Sequence, residues 1–203
     1  NGQVGQSPDN GSYHGEPHDG AVRLQTVVQA GVMEREGKPS GRQEPRGGGN
    51  QRKIRQAAAE IFGRMKSNPQ HAYIFLTKRP DKVCFSTDDE NVWMGVTVTR
   101  SSEKKRLEDL KRNIKAKHYH VTFEPIFDEI GEIDFAGIDW VVIGTETGHR
   151  KGKVDSRLEW VLHIADQAKA QGIPVFMKED LLLIMGEERM IQELPEQFIK
   201  RIQ

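Results

Sequence analysis

The sequence has a single cysteine among its 203 residues, Cys84, and this scarcity excludes several kinds of site. One cysteine cannot form a disulfide within the chain, and it cannot by itself supply the cysteine ligands of a zinc or iron–sulfur centre. Long apolar runs are also missing. No stretch approaches the roughly 20 residues that cross a bilayer, and the first residues do not have the apolar core of a signal peptide. We therefore predict no membrane association and a cytoplasmic location.

An excess of charge of either sign is absent as well. The chain has 30 basic and 30 acidic residues, and its formal net charge is zero. A dedicated nucleic-acid-binding protein normally carries a clear basic excess, so contact with nucleic acid is not indicated by charge. The composition, with 35% apolar and 30% charged residues, is typical of one medium-sized globular domain.

Residues 1–50 differ in composition from the rest of the chain. They hold 11 of the 20 glycines and only ten apolar residues, none of them isoleucine, phenylalanine or tryptophan. Such a segment buries too little apolar surface to offset its loss of conformational entropy. We therefore predict a disordered, low-complexity tail over residues 1–50 and a folded domain over residues 51–203. Apolar residues at helical spacing indicate one exception, a short helix around residues 22–32.

From residue 51 onward, amphipathic segments alternate with continuous apolar runs. Helical spacing predicts three helices: a basic helix over residues 52–66, a second after residue 101 and a third after residue 155. In the second helix, the buried face is formed by Leu107, Leu110 and Ile114. Apolar runs predict five strands, over residues 72–77, 92–98, 117–123, 138–145 and 173–177. Alternation of this kind favours a parallel sheet, and five strands are too few to close an eight-stranded barrel. The predicted fold is α/β, a partial (open) TIM-like barrel with mainly parallel strands.

Four charged residues stand at the ends of predicted strands: Lys78, Glu124, Glu146 and Lys178. Because the carboxyl ends of parallel strands share one edge of a sheet, we predict that the four form one catalytic site. Carboxylates at such an edge can transfer protons or bind an amine or a metal ion, and lysines can hold a carboxylate or phosphate. The competing interpretation is that strand ends meet water and carry charge for that reason alone.

The loop over residues 144–148 is a second candidate site. Gly144 and Gly148 let backbone N–H groups approach an anion, so these glycines, with Thr145 and Thr147, are the predicted cofactor-binding residues for a small-molecule or nucleotide ligand. The loop has neither a P-loop nor a GxGxxG pattern, and a tight turn is an equal alternative.

His118 and His120 have the spacing that places two side chains on one face of a strand. Two histidines on one face could bind a metal ion, but the sequence offers no third ligand near them. The better interpretation is therefore that both are structural histidines whose ring nitrogens form hydrogen bonds within the protein, and no metal site is predicted.

Five ordered segments carry a family resemblance: FLTKRP (75–80), NVWMGVTV (91–98), EP (124–125), IDWVVIGTETG (138–148) and PVFMK (174–178). Within residues 72–195 the sequence resembles the uncharacterised phage and bacterial family called domain of unknown function 5131, often described as phage gene-product 37/68 proteins. Members of that family resemble radical S-adenosylmethionine proteins. The resemblance implies a partial α/β barrel preceded by a cysteine cluster that holds an iron–sulfur cluster.

The resemblance also implies that the four strand-end charges line the barrel mouth and face the cofactor. Residues 1–70 contain no cysteine, so neither an iron–sulfur cluster nor S-adenosylmethionine cleavage is expected in this chain. The chain is then at most a remnant or fragment of a radical-SAM-like enzyme, inactive alone. Two other functions stay open: a module that binds an anion, a nucleotide or nucleic acid, and a metal-dependent hydrolase that uses Glu124 and Glu146.

Overall fold

The computed structural model describes residues 27–29, 48–148 and 151–202. The helices are α1 (Gly48–Ser67), α2 (Lys105–Asn113), α3 (Leu158–Ala170), α4 (Leu182–Met185) and α5 (Glu196–Ile202). The strands are β1 (Val27–Gln29), β2 (Tyr73–Thr77), β3 (Phe85–Ser86), β4 (Val92–Thr97), β5 (Ile114–Lys115), β6 (His118–Phe123), β7 (Trp140–Ile143) and β8 (Val175–Met177). Short 3-10 turns occur at Pro80–Lys82, Ser101–Glu103, Glu179–Leu181 and Glu187–Arg189.

Six of these strands form one parallel sheet in the order β1-β2-β4-β6-β7-β8. Each new strand is added beside the previous one, so the order never reverses as it does in doubly wound sheets. The sheet keeps two edges, at β1 and β8. The predicted α/β class with mainly parallel strands is therefore confirmed, and β2 and β4 are parallel neighbours joined by a crossover.

The two faces of the sheet differ in chemistry because side chains alternate along a strand. One face packs against α2 and α3 through an apolar core that contains Phe75, Met94, Val121, Val141 and Val175. We call the opposite face the inner face. Its strand residues are Ile74, Leu76, Trp93, Gly95, Thr97, His118, His120, Thr122, Trp140, Val142 and Phe176.

An aromatic cluster closes the inner face near the amino-terminal ends of the strands. The ring of Phe198, on α5, lies 4.5 Å from that of Trp93 and 5.3 Å from that of Trp140, measured between centroids. All three side chains are buried. Because the base of the inner face is filled by rings, its polar chemistry is concentrated at the other end, where the strands finish.

Gly95 is required on the inner face by the ring of His120. A Cβ atom at position 95 would lie 2.2 Å from two atoms of that ring, far inside any real contact. The His120 ring crosses β4, and its Nε2 lies 3.0 Å from the carbonyl oxygen of Phe75 on β2. Since a carbonyl only accepts hydrogen bonds, Nε2 carries the proton. The missing side chain of Gly95 thus permits a hydrogen bond that joins β6 to β2.

Three details correct the sequence predictions. Val27–Gln29 is a strand that pairs with β2, whereas a helix was predicted around it. α1 begins at Gly48, inside the predicted tail; the rest of that tail lies outside the described residues. Ile114 is buried but ends α2, because it forms β5 and pairs with Phe85 in a small second sheet that the sequence did not predict. Within the described ranges, no helix has the length and apolar character to cross a membrane.

We expect Gly95→Ala to lower the free energy of unfolding by about 1–3 kcal/mol, because the new methyl group overlaps a buried ring. Gly63→Ala is the matched control, since no atom lies within 4 Å of its Cβ position in α1. That substitution should stabilise the helix by about 0.5–1 kcal/mol. Urea denaturation followed by circular dichroism measures both, and equal midpoints for the two variants would contradict the packing described here.

Candidate functional site

Two of the four predicted charged residues meet at the carboxyl edge of the inner face. Glu124 follows β6 and Lys178 follows β8, and the Lys178 ammonium donates a hydrogen bond to Glu124 Oε1. These strands are not neighbours, because β7 lies between them. Gly144, the residue after β7, leaves room for the contact: a Cβ there would lie 3.0 Å from Lys178 Cδ and 3.1 Å from Glu124 Cδ, close enough that these side chains would have to shift slightly. The ion pair therefore passes directly over a glycine.

Asp180 adds a second carboxylate beside Lys178, and the sequence prediction missed it. Lys178 Nζ lies 3.8 Å from Asp180 Oδ2, and the backbone N–H of Thr145 donates to Asp180 Oδ1 at 3.4 Å. Asp180 stands in the 3-10 turn after β8 rather than directly at the strand end, so strand-end position gave no signal for it. One ammonium group is thereby shared by two carboxylates.

The loop after β7 is fixed by buried hydroxyl groups. The Ser156 hydroxyl lies 3.1 Å from Thr145 Oγ1 and 3.5 Å from the carbonyl oxygen of Ile126. Thr145 and Ser156 are both buried. These contacts hold the start of the 144–148 loop against the segment that leads into α3, so Thr145 presents its backbone N–H to Asp180 in a fixed position.

The other two predicted charges lie on the same edge but take no part in the ion pair. Glu146 Oε2 accepts a hydrogen bond from the backbone N–H of Val154 at 3.3 Å, which closes the loop on itself. Lys78 is exposed and follows β2, two positions from β6 in the sheet. The strand register places it level with Thr122, two residues before Glu124, so the Cα atoms of Lys78 and Glu124 stand about 12 Å apart at the usual strand spacings. The structure thus brings together one lysine and one glutamate of the predicted four.

The predicted anion-binding loop is described only as far as Gly148. Thr147 and Gly148 are exposed, and Gly148 has a φ of 88°, a left-handed conformation that favours glycine. His149 and Arg150 lie outside the described residues. Of the four predicted cofactor-binding residues, Gly144 accommodates the ion pair and Thr145 contacts Asp180, while Thr147 and Gly148 reach solvent.

A second polar cluster, which sequence reasoning also missed, lies just after the end of β4. Glu103 accepts hydrogen bonds from the Thr99 backbone N–H at 2.8 Å, from the Thr99 hydroxyl at 2.9 Å and from Arg106 at 2.6 Å. Burial acts to raise the pKa of Glu103, but these donors together outweigh it and hold the pKa below its usual value. Arg106 also donates to the carbonyl oxygen of Thr97 at 2.7 Å, so the cluster ties β4 to the start of α2.

The two strand histidines share the inner face, as their spacing predicted, and lie below the ion pair. His118 stacks on Trp93 with ring centroids 4.5 Å apart. Burial lowers the pKa of His120 to about 4, partly opposed by its bond to Phe75, so this ring is neutral at pH 7. Within the part of the chain that the structure describes, no group of three His, Cys, Asp or Glu side chains could hold a metal ion.

Comparison with known proteins gives a family. The model of the family described as "Protein of unknown function (DUF5131)" matches residues 51–184, more than half of the chain. The family resemblance drawn from the five ordered segments is thereby confirmed. No curated protein and no solved structure matches the chain.

The ion pair should contribute little to stability, because Glu124 and Lys178 keep 28% and 39% of their side-chain surface exposed. We expect Glu124→Gln and Lys178→Met each to change the free energy of unfolding by no more than about 1 kcal/mol. Glu90→Gln and Lys117→Met are the matched controls, since that ion pair lies at the amino-terminal ends of β4 and β6. Urea denaturation tests this, and a loss several times larger for the Glu124 or Lys178 variant would mean that the pair holds the fold together.

His120 should make the fold sensitive to acid over a defined range. Its folded pKa of about 4 lies below the usual value of 6.5, so the unfolded chain takes up the proton first as the pH falls. The free energy of unfolding should therefore decrease by up to about 3 kcal/mol between pH 6.5 and pH 4, with no contribution above pH 6.5. The difference between wild type and His120→Gln, measured by urea denaturation, should be constant above pH 7 and shrink below pH 6. A difference that stays constant down to pH 4.5 would contradict this assignment.

Proposed function

We propose that this chain, which belongs to the family described as Protein of unknown function (DUF5131), forms the ligand-binding part of a radical-SAM-like enzyme with a partial TIM-like barrel. Residues 51–203 carry the site as one domain in this proposal. Its ligand is a small molecule or nucleotide that binds at the carboxyl edge of the inner face. The proposed catalytic residues are Glu124, Glu146, Lys78 and Lys178, and the proposed ligand-binding residues are Gly144, Thr145, Thr147 and Gly148.

The observation that carries this proposal is the Glu124–Lys178 pair above Gly144. Charged side chains from two non-adjacent strands converge at the carboxyl ends of parallel strands, where α/β folds place their chemistry. Both side chains stay partly exposed, so a ligand can reach them. A pair that served only to stabilise the core would be closed off from solvent.

The strand order supports the likeness to a barrel. Strands that follow one another in sheet order, all parallel, are the arrangement of the (β/α)8 barrel, although this sheet keeps two edges. The inner face then corresponds to the barrel interior. In this proposal the aromatic cluster closes one end of the inner face, and the ligand binds at the polar carboxyl edge.

The chemistry of the edge suits a polar ligand. Lys178 can donate hydrogen bonds to a carboxylate or phosphate, and Glu124 can accept a proton or a hydrogen bond from a hydroxyl or amine. Asp180, 3.8 Å from Lys178, keeps a carboxylate beside the ammonium group when a ligand replaces Glu124. In this proposal Glu124 is the acid–base residue and Lys178 fixes the ligand.

The residues of this chain do not fit an iron–sulfur cluster. Such clusters are held by several cysteine thiolates, and the chain has one cysteine, the exposed Cys84 between β2 and β4. The ligands would have to come from outside these 203 residues. No cluster-dependent step is therefore assigned to this chain, and the proposed role is ligand binding, inactive alone. We propose in addition that the chain is a phage-type protein.

The two alternative functions receive less support. For a metal-dependent hydrolase, Glu124 is held by Lys178, and Glu146 is held by the Val154 N–H group. For a nucleic-acid-binding module, the net charge of zero gives no basic excess.

Calorimetric titration of the purified chain tests the proposal. The probes are S-adenosylmethionine, ATP and AMP, added to wild type and to Glu124→Gln and Lys178→Met. We expect at least one probe to bind wild type, and we expect either variant to weaken that binding about tenfold or more, because each removes one charged hydrogen-bond partner. Anaerobic treatment with iron and sulfide should produce no cluster absorption.

Glu90→Gln and Lys117→Met are the controls, since they remove an ion pair at the amino-terminal ends of β4 and β6. Their affinities should equal that of wild type. If all four variants weaken binding equally, or if none does, the ligand binds elsewhere. A stoichiometric iron–sulfur cluster on this chain would contradict the statement that its residues do not fit one.

A further inference from the structure

The outer edge of β8 has no free backbone hydrogen-bonding group, although β8 is the last strand of the sheet. The Met177 N–H donates to Ile191 O at 2.6 Å, and the Glu193 N–H donates to Val175 O at 2.8 Å. The Val175 N–H donates to the Glu193 carboxylate at 3.1 Å, and the Gln192 side-chain amide donates to Met177 O at 3.3 Å. Three residues, with two of their side chains, therefore take the place of a further strand.

The same segment then continues onto the inner face. The indole N–H of Trp140 donates to Glu193 O at 3.2 Å, and Phe198 packs against Trp93 and Trp140. We call residues 190–198 the strap. It covers two surfaces that tend to bind other chains, namely the edge of a strand and a group of large rings.

The connector between β8 and the strap, residues 178–189, combines exposed leucines with a turn that requires glycine. Leu183 is 99% exposed and Leu182 is 41% exposed. Gly186, just after α4, has φ 72° and ψ 154°, a conformation that is close to exclusive to glycine. The turn that brings the strap back onto its own β8 therefore depends on Gly186.

We propose that the strap is an exchangeable interface, through which two copies of this chain form a dimer by swapping straps. Each strap then binds the β8 edge and the Trp93–Trp140 rings of the other copy, and every contact of the closed form is kept. The partner is a second copy because it carries the identical segment. The two connectors open at Gly186 and run beside each other, which buries Leu183 against the other connector.

The geometry makes opposite predictions for two positions in the connector. In Gly186→Ala the closed turn is strained, and the open connector relieves that strain, so the variant should favour the dimer. In Leu183→Glu a charge enters the new interface, so the variant should disfavour the dimer. Because Leu183 lies in water in the closed form, this second substitution should leave the monomer as stable as wild type.

Gly172→Ala is the matched control for Gly186→Ala. Gly172 also has a positive φ, 73°, but it follows α3, outside the connector, and no atom lies within 4 Å of its Cβ position. The substitution also places alanine at a positive φ, but it does so outside the hinge. It should lower stability and leave the ratio of dimer to monomer unchanged.

Size-exclusion chromatography with light scattering, on the full chain at a series of concentrations, tests the proposal. We expect a dimer whose share rises with protein concentration. At equal concentration, the dimer share should be about fivefold or more higher in Gly186→Ala than in wild type, and lower in Leu183→Glu. Isolated dimers should separate slowly on dilution, because each strap has to detach first. Hydrogen exchange should show the Met177 amide protected in monomer and dimer alike.

Three results would overturn the proposal. The first is a chain that stays monomeric at every concentration, Gly186→Ala included. The second is an equal dimer share in the Gly186→Ala and Gly172→Ala variants. The third is a dimer in which the Met177 amide loses its protection or which separates at once on dilution, since either shows a contact that does not use the strap.

Discussion

The inner face depends on glycines at positions where a polar side chain of a neighbouring strand lies flat across the sheet. Gly95 on β4 accommodates the ring of His120, and Gly144 after β7 accommodates the aliphatic part of Lys178 and the carboxyl group of Glu124. A Cβ at position 95 would overlap the ring of His120, and one at position 144 would crowd the side chains of Lys178 and Glu124. Neither glycine contributes a side chain to the packing, and each leaves room for a polar contact between strands that are not neighbours in the sheet.

This arrangement divides the inner face into a buried part and a partly exposed part. The lower part of the inner face is sealed by Trp93, Trp140 and Phe198, and His120 is held neutral by burial. The upper part carries a partly exposed ion pair with a second carboxylate, Asp180, beside its lysine. Partly exposed pairs stabilise a fold only weakly, so the fold does not depend on this ion pair.

Much of the fold could be predicted from the sequence, because continuous apolar runs and amphipathic helices follow one another from residue 51 onward. The predicted edge was also informative, since Lys178 and Glu124 do follow parallel strands. What could not be predicted is that these two, rather than Glu146 or Lys78, make contact. Their pairing depends on which strands lie beside β7 and on the absent side chain of Gly144, and neither is a property of the local sequence.

Other misses have similar physical reasons. β3 and β5 have two residues each, too few for a hydrophobic pattern, and Ile114 reads as part of a helical stripe until its pairing with Phe85 is known. The strap has no alternation of apolar and polar residues, because Gln192 and Glu193 use side chains where a strand would use backbone. Sequence periodicity detects repeated geometry, and these elements are single contacts.

The central claim is that the carboxyl edge around the Glu124–Lys178 pair is where this family member binds its ligand. Amide chemical-shift mapping by nuclear magnetic resonance, during titration with the probe that binds, tests it most directly. The account predicts the largest shifts at Glu124, Gly144 and Lys178, with none at Glu90 and Lys117, which lie at the amino-terminal ends of the strands. Shifts confined to those amino-terminal ends, or to the strap, would contradict it.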